Sequence, residues 1–140
     1  MTDKLHISKT DIPGDDGRTI HFMYDQDSDD LEIVFEKARA NCVVELTGNI
    51  ILRFDRVQEK ALSLILIGFS TLAQVTEIGP KSFPLTGLAD LPEDLRQTVV
   101  KIITSPPVNQ FLKVSCFYPS PAQSIPITYV ERLPALVMAA

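Results

Sequence analysis

Apolar residues are densest in residues 61–69, where they occupy both odd and even positions of a nine-residue run. In a β-strand successive side chains point to opposite faces. One face would carry Leu62, Leu64 and Leu66, and the other would carry Ile65, Ile67 and Phe69. Because both faces are apolar, the pattern predicts a central strand that is covered on both sides. The run is far shorter than the roughly 20 residues that a membrane-spanning helix needs.

Four segments before this strand alternate between apolar and polar residues, as half-buried strands do. They are residues 20–24, 31–36, 42–46 and 50–55. Five strands in succession at this spacing predict an antiparallel meander over residues 20–70. The Ile65 face of the central strand would then need a second layer to cover it.

The first nineteen residues are polar and mixed in charge. Residues 13–17 read Pro-Gly-Asp-Asp-Gly, a composition that favours a turn. We therefore predict a flexible N-terminal arm or a weak edge element over residues 1–19. A single α+β domain is expected over residues 20–140.

Residues 91–104 have the spacing of an amphipathic helix, with apolar positions at i, i+4, i+7 and i+8. These positions are Leu95, Val99, Ile102 and Ile103. Asp90 stands three residues before Glu93, which fits a capping box at the helix start. The prolines at 106 and 107 would end the helix. We expect this helix to pack on the sheet and to supply part of the second layer.

The rest of the segment from 71 to 140 is rich in proline and less regular. Residues 111–118 return to a strand pattern, and residues 125–130 could form a strand only at an edge or a bulge, because Pro126 has no N–H to donate. Residues 133–140 form an apolar tail that would pack on its own domain or on a neighbouring subunit. The periodicity does not predict the path of residues 71–91.

These patterns together predict an α+β fold. It consists of an antiparallel β-meander sheet of about five to seven strands, with one main helix packed on one face.

Charge is unevenly distributed along the chain, which has a net charge of -5. Residues 1–60 hold 13 acidic and 8 basic residues, whereas residues 61–140 hold 5 of each. There is no cluster of lysine and arginine, so we expect no direct binding to nucleic acid and none to a membrane surface.

Cys42 and Cys116 are the two cysteines of the chain, and each lies in an apolar, strand-like segment without a second cysteine or a histidine at zinc-ligand spacing. We expect both to be reduced core residues. The first residues contain no apolar stretch of the length that a secretory signal needs, so a cytoplasmic location is expected.

The acidic run at residues 25–30 is the main candidate for chemistry. Asp25, Asp27, Asp29 and Glu36 match positions 1, 3, 5 and 12 of a calcium-binding loop, although Asp30 replaces the glycine of position 6. The calcium loop also requires flanking helices, whereas here strands flank the run. The candidate metal site therefore comprises Asp25, Asp27, Asp29, Asp30 and Glu36 with His21 nearby. The alternative, which the flanking pattern favours, is a solvated hairpin turn in which aspartates bond local backbone N–H groups.

Common catalytic signatures are missing from the sequence. Ser70 lacks the G-x-S-x-G setting of a hydrolase nucleophile, and the six glycines are scattered rather than grouped around a phosphate. We predict no catalytic residue and no cofactor.

One stretch resembles a known family. Its three parts are Tyr24-Asp25-x-x-x-Asp29-x-Leu31-x-Ile33-x-Phe35, Ile50-Ile-Leu-Arg-Phe-Asp55 and Leu66-Ile-Gly-Phe-Ser70. This pattern resembles the bacterial family catalogued as domain of unknown function 2283, over about residues 22–70. The resemblance implies a small antiparallel sheet of uncharacterised role and supplies no catalytic or cofactor residue. Family members often carry glycine in the last turn, where this chain has Arg56-Val-Gln-Glu-Lys60.

The sequence thus favours a non-enzymatic interaction or structural module. Such a module would associate with itself, most simply as a homodimer, or with another protein, through the sheet surface or the C-terminal tail. The alternative is a small-ligand- or metal-binding protein or an enzyme, with a pocket between the sheet and residues 71–140.

Overall fold

The structure, a computed structural model, describes residues 7–14, 17–77 and 79–131. A six-stranded antiparallel sheet, called here the large sheet, contains the first half of the chain. Its strands are β1 (Ile7–Pro13), β2 (Thr19–Asp25), β3 (Asp30–Val34), β4 (Cys42–Thr47), β5 (Ile50–Asp55) and β6 (Lys60–Ile67). The order across the sheet is β1-β2-β3-β6-β5-β4. The apolar strand β6 lies in the centre, as the sequence predicts.

The large sheet consists of two three-stranded meanders that are joined where β3 pairs with β6. After β3 the chain crosses to the far edge and returns through β5 to the centre. This order places β6, the most apolar strand, between two neighbours. It leaves β4, with exposed Val43 and Glu45, at an edge. The antiparallel sheet and its single main helix confirm the α+β fold class.

The N-terminal segment is ordered over most of its described length. Residues 7–13 form β1, which pairs with β2 along all seven residues, and Ile12 packs against the core. A flexible arm is therefore wrong for these residues, and the edge element is right. Partly buried and exposed residues alternate along this short strand, so one side of it, with Ser8, Thr10 and Ile12, faces the interior and anchors the strand to the sheet.

The second half of the chain forms short elements and a second sheet. They are α1 (Phe69–Leu72), β7 (Val75–Thr76), β8 (Gly79–Pro80), β9 (Ser82–Pro84), α2 (Glu93–Ile103), β10 (Leu112–Ser120) and β11 (Gln123–Val130). Strands β10, β11 and β9, in that order, make a three-stranded sheet, called here the small sheet. In the part of the chain that the structure describes, no helix is long and apolar enough to cross a membrane. Residues 133–140 lie outside the described part, so the expected docking of the tail stays a prediction.

One core fills the space between the large sheet and the second half of the chain. Leu64 and Leu66 of β6 face α2, whose Val99, Ile102 and Ile103 are buried as the spacing predicts. Phe111 adds aromatic contacts, with ring centroids 5.6 Å from Phe22 and 5.9 Å from Phe35. Each fully buried side chain of this kind contributes about 1.5–3 kcal/mol in transfer terms, so this layer holds the short helix in place.

The start of α2 differs from the predicted capping box. Pro92 occupies the N-cap position with an extended ψ of 151°, and no side chain caps the helix, so the prediction for Asp90 is wrong. Because proline fixes φ near the helical value, it can start the helix itself. The Arg96 side chain instead holds the preceding turn, since it donates to the carbonyls of Leu88 and Leu91 at 2.9 Å each.

The opposite face of the large sheet, called here the outer face, is not covered as expected. Ile65 and Ile67 are only partly buried, and the helix packs on the Leu64 face. Phe69 does not join the outer face, because Gly68 turns the chain with a φ of 69° and directs the ring into the core beside Tyr24. The second layer therefore covers one face of β6, and the outer face is partly exposed.

Strand β11 is the middle strand of the small sheet, so the prediction of an edge position is wrong. The N–H of Leu85 donates to the carbonyl of Pro126 at 2.9 Å, which shows that the backbone polar groups of Pro126 face the β9 side. On that side β9 has already ended at Pro84, and the missing N–H removes only a terminal bond. On the other side Pro126 pairs with Cys116 at a position where no hydrogen bond is needed.

Candidate functional site

The acidic run forms the turn of the β2–β3 hairpin. Asp25 Oδ1 accepts from the backbone N–H of Asp27 at 2.9 Å and of Ser28 at 3.5 Å. This is the local bonding that the hairpin interpretation predicts. Asp25 therefore serves to close the turn.

Asp29 joins this turn to a distant part of the chain. Its carboxylate accepts from Tyr24 Oη at 2.5 Å, from Ser70 Oγ at 2.5 Å and from the Ser70 N–H at 3.1 Å. Its carbonyl accepts from the Phe69 N–H at 2.7 Å. Asp29 has a φ of 58°, a left-handed conformation that aspartate tolerates better than most residues. We call this cluster of Tyr24, Asp29 and Ser70 the turn lock.

The protonation states in the turn lock follow from these bonds. Partial burial raises the pKa of the Asp29 carboxyl, but the hydrogen bonds from Ser70 and Tyr24 lower it by more, so the net pKa lies below its usual value. The same bond from Tyr24 to Asp29, together with burial and the charges of nearby aspartates, raises the pKa of Tyr24 to about 12. At neutral pH a carboxylate thus accepts from a neutral phenol and a neutral hydroxyl.

This arrangement is suited to holding α1 rather than to catalysis. Ser70 Oγ directs its proton at a carboxylate with a lowered pKa, which is a poor base for activating a nucleophile. Asp30 contributes a further hydrogen bond, because its Oδ1 accepts from the Gly68 N–H at 3.4 Å. The bonds fix the sharp turn between β6 and α1.

Glu36 and His21 lie away from the acidic turn. Glu36 follows the far end of β3, where it pairs with Lys60 at 2.9 Å and Arg18 at 3.1 Å. The hydrogen bond and charge of Lys60 hold the pKa of Glu36 below its usual value. His21 Nδ1 lies 2.8 Å from Asp11 Oδ1 on β1, on the outer face.

The structure keeps four residues of the candidate metal site, Asp25, Asp27, Asp29 and Asp30, in one turn and separates Glu36 and His21 from them. Asp25 pairs with Asp30 in the hairpin, whereas His21 pairs with Val34 at the other end of the strands. A strand rises about 3.3 Å per residue, so four residues separate these groups by more than a metal can bridge. Within residues 7–14, 17–77 and 79–131 no three histidine, cysteine, aspartate or glutamate side chains form a group that could hold a metal ion.

A second turn repeats the geometry of the first, in the β5–β6 hairpin at residues 55–60. Asp55 Oδ1 accepts from the N–H of Val57 at 2.9 Å and of Gln58 at 3.0 Å. Glu59 has a φ of 54° and pairs with Lys101 of α2 at 2.8 Å. Sequence reasoning missed this match, although Phe54-Asp55 followed by Glu59 repeats the spacing of Tyr24-Asp25 followed by Asp29.

The outer part of the β10–β11 hairpin, residues 115–126, projects into solvent and is called here the ribbon. Residues on both faces of the ribbon are exposed, including Phe117 at 54%, Tyr118 at 64% and Ile125 at 39%. Cys116 is also exposed, so its predicted place in the core is wrong, whereas Cys42 packs against the core. Strand alternation in the sequence cannot reveal this, because it does not show where a hairpin leaves the body of the domain.

Two cavities bear on the predicted pocket. A groove of about 600 Å³ lies at the base of the ribbon, lined by Leu85, Leu88, Val100 and Ile125 among others, all of them after residue 83. A smaller cavity of about 220 Å³ lies between the large sheet and the two prolines at 106 and 107. The second has the predicted location but is below the roughly 300 Å³ of typical ligand sites.

In comparisons with protein-family models, curated proteins and solved structures, nothing matched the chain. The resemblance to the domain of unknown function 2283 therefore stays a prediction that rests on residues 22–70 alone.

Proposed function

We propose that this protein is a non-enzymatic interaction module that contacts protein through the ribbon. The observation that carries the proposal is the exposure of Phe117, Tyr118 and Ile125 on a hairpin whose two faces both meet water. Aromatic side chains are enriched at protein interfaces and charged ones are depleted at interface centres. The ribbon has this composition, since residues 114–130 contain no charged residue.

The low stability expected for a solvent-exposed hairpin supports a partner that binds the ribbon. An isolated two-stranded hairpin is marginally stable in water, and the ribbon extends beyond the short strand β9 that supports its base. Burying apolar surface yields roughly 25 cal/mol per Å². A partner that covers the two aromatic residues would therefore stabilise the ribbon as well as the complex.

The polar clusters described above support a role without catalysis. The carboxylates of Asp25, Asp29 and Asp55 each hold backbone N–H groups of the chain itself. These contacts give three of the acidic residues in the first half a structural role that requires no substrate.

The double variant Phe117→Ser and Tyr118→Ser tests the proposal, with Val57→Ser as the matched control. Val57 is 86% exposed at the tip of the β5–β6 turn, so its replacement removes an exposed apolar side chain elsewhere. We expect the double variant to lose concentration-dependent association in sedimentation equilibrium, or to lose a stoichiometric partner captured from the native lysate, while the control keeps both. A monomer at every concentration whose captured proteins are the same for all three chains would overturn the proposal.

The groove at the base of the ribbon supports a second candidate, the binding of a small apolar ligand. Its volume of about 600 Å³ lies within the roughly 300–1,000 Å³ of ligand sites, and its lining is mainly apolar. Native mass spectrometry of the purified chain tests this candidate. A co-purifying molecule that is lost in Val100→Glu would support ligand binding, and a bare chain mass that fluorescent apolar probes do not change would count against it.

A further inference from the structure

The edges of the sheets differ in how well they are protected from pairing with another chain. An exposed strand edge presents unpaired N–H and C=O groups, and charged residues, proline or a covering loop usually protect it. Strand β1 carries Lys9 and Asp11 and ends at Pro13. Strand β4 is covered, because Gly87 in the turn Thr86–Leu88 lies so close to the Glu45 carbonyl that an added Cβ would overlap it.

In the described part of the chain the small sheet has one edge that is too short for extensive pairing and one that is long, with proline and a register shift only near its outer end, after Phe117. Strand β9 has three residues, whereas β10 has nine. Strand β10 contains a single charged residue, Lys113, near its buried end. Its outer half, from Ser115 to Pro119, is exposed.

The backbone polar groups that face outward from β10 can be assigned. Because Pro126 directs its polar groups towards β9, its partner Cys116 directs its own N–H and C=O away from β11. Residues two positions away along a regular strand point the same way, so Val114 shares this direction, whereas a register shift between Phe117 and Ser120 ends the regular alternation before Tyr118. Among the described residues none forms a backbone hydrogen bond with Val114 or Cys116 on that side.

The distribution of charge along the chain favours a second copy as the partner of the β10 edge. The chain has a net charge of -5, so two copies repel each other over most of their surfaces. Residues 114–130 form a stretch of seventeen without a charged side chain. This stretch is where a second copy can approach without placing like charges together, and it offers a charged partner no ion pair.

The geometry points to a second copy of this chain as the occupant of the β10 edge, an inference that rests on the proposed function. Two β10 strands would pair antiparallel about a two-fold axis at Cys116, which is the middle residue of β10. Val114 of each copy then lies opposite Tyr118 of the other, and the pairing is limited to the regular part of each strand, because the register shift and Pro119 follow Phe117. The two small sheets become one six-stranded sheet, and the interface is isologous and closed.

The surface area that two copies can bury against each other determines the expected affinity of the dimer. Phe117 and Tyr118 are more than half exposed, and a fully buried aromatic removes about 150–250 Å² from water, so the two offer on the order of 200 Å² per copy. Stable interfaces bury roughly 1,200–2,000 Å² in total. The strand backbones and Ile125 add to this area but leave the interface at or below the low end of that range, so we expect a weak dimer with a dissociation constant on the order of micromolar.

Sedimentation equilibrium of the full chain at up to roughly 100 µM, about a hundred times a micromolar dissociation constant, tests the inference. Cys116→Lys places two like charges opposite each other at the axis, and Val57→Lys makes the same change of net charge at a distant turn. We expect Cys116→Lys to weaken the dimer at least tenfold, although it makes the chain less acidic, and Val57→Lys to leave it unchanged or slightly stronger. Equal behaviour of the two variants would overturn the inference.

Cys116→Pro gives a second test that acts on the backbone alone. The Cys116 N–H faces outward, so proline there removes a donor from the edge and none from the pairing with β11. We expect this variant to unfold at the same urea concentration as the wild type under monomeric conditions, and to associate at least tenfold more weakly. Unchanged association would overturn edge pairing.

Cross-linking distinguishes failure of this inference from failure of the proposed function. In a Cys42→Ser background a short bismaleimide should link two copies through Cys116. The control chain carries Cys42→Ser, Cys116→Ser and Ser124→Cys, which places its one thiol on β11, and it should not cross-link. A dimer that cross-links through position 124 instead would overturn the β10 edge but keep the ribbon as the contact surface. A chain that stays monomeric and does not cross-link would overturn the edge, and with no captured partner it would overturn the proposed function as well.

Discussion

The two hairpin turns of the large sheet have the same backbone but different roles. In each, an aspartate closes the turn by accepting from the N–H groups two and three residues ahead, as Asp25 and Asp55 do. In each, the acidic residue four positions later adopts a left-handed conformation, with φ of 58° for Asp29 and 54° for Glu59. The acidic character of the first turn is thus a feature of the turn type and does not by itself indicate a ligand site.

The difference lies in what the left-handed residue contacts. Asp29 is partly buried and accepts from Tyr24 and Ser70 in the turn lock. Glu59 is exposed and pairs with Lys101 on the surface of α2. Exposed ion pairs contribute little to stability, whereas hydrogen bonds from neutral donors to a partly buried carboxylate contribute more. The two turns therefore predict opposite results for the same substitution.

Replacement of each left-handed residue by glycine should have the largest effect and should separate the two turns. Glycine adopts positive φ without steric cost, so both variants gain the same backbone relief. Asp29→Gly loses the turn lock, and we expect a net loss of about 2 kcal/mol in the free energy of unfolding, a value in the lower range for charged hydrogen bonds because the cluster is only partly buried. Glu59→Gly loses a surface pair, and we expect it to be at least as stable as the wild type. Urea unfolding at neutral pH measures both.

Ser28→Gly controls for the added flexibility of the first turn, because Ser28 is exposed and its side chain makes no contact of the turn lock. Equal destabilisation by the substitutions at 29 and 59 would contradict the comparison.

The second prediction concerns acid. The pKa of Asp29 is lower in the folded state, so its contribution to stability is complete above the unfolded-state pKa of about 4 and is lost as the pH falls through the folded-state pKa. An asparagine at this position would tolerate the left-handed conformation but carry no charge. We expect the wild type to be more stable than Asp29→Asn by about 2 kcal/mol at pH 7, with the difference shrinking steadily below about pH 4. A difference that stays constant down to strong acid would contradict an ionised acceptor.

The third prediction concerns the phenol of the turn lock. Tyr24 has a pKa of about 12, so it should ionise later than an ordinary tyrosine. In a chain that carries Tyr118→Phe and Tyr129→Phe, absorbance at alkaline pH reports Tyr24 alone. We expect Asp29→Asn to lower the midpoint towards 10, the ordinary value. Because the folded-state pKa is raised, the stabilisation from Tyr24 is present below pH 10 and is lost as the pH rises towards 12.

The fourth prediction is the smallest effect, that of calcium on the first turn. The carboxylates of the acidic run are engaged with backbone and side-chain donors of the chain itself, and Glu36 lies at the far end of β3. We expect millimolar calcium to change the melting temperature by less than about 1 °C, the same as millimolar magnesium. A rise with calcium that magnesium does not reproduce, and that Asp27→Asn removes, would restore the calcium hypothesis.

Part of this fold could be predicted because it depends on local patterns. Alternation predicted β2, β3, β4 and β5, the continuous apolar run predicted β6, and the 3.6-residue period predicted the buried face of α2. The turn bonding of Asp25 follows from the preference of aspartate for its own backbone. The repeat of that spacing at Asp55 was also visible in the sequence.

The rest depends on contacts between distant residues. Strand β4 lies at the sheet edge because β6, the most apolar strand, occupies the position between β3 and β5. The hydrogen bond between Asp29 and Ser70 joins residues that are 41 positions apart in the sequence. Pro126 is tolerated in the middle strand because β9 ends at Pro84, and the general preference of proline for edge strands does not predict where a neighbouring strand ends. Likewise, the exposure of Phe117 follows from how far β10 extends past the domain body.

Gly87 keeps the outer edge of β4 covered, because only a residue without a Cβ lets the turn lie this close to the Glu45 carbonyl. Because the turn Thr86–Leu88 lies against β4, another chain cannot pair with that edge of the large sheet. A larger residue at position 87 would push the turn away from the Glu45 carbonyl and open the far edge of the large sheet. A chain that paired through this edge as well as through β10 could assemble without limit, because contacts that do not close give open filaments. If the inference about β10 holds, glycine at position 87 limits the number of strand edges at which a further copy could add.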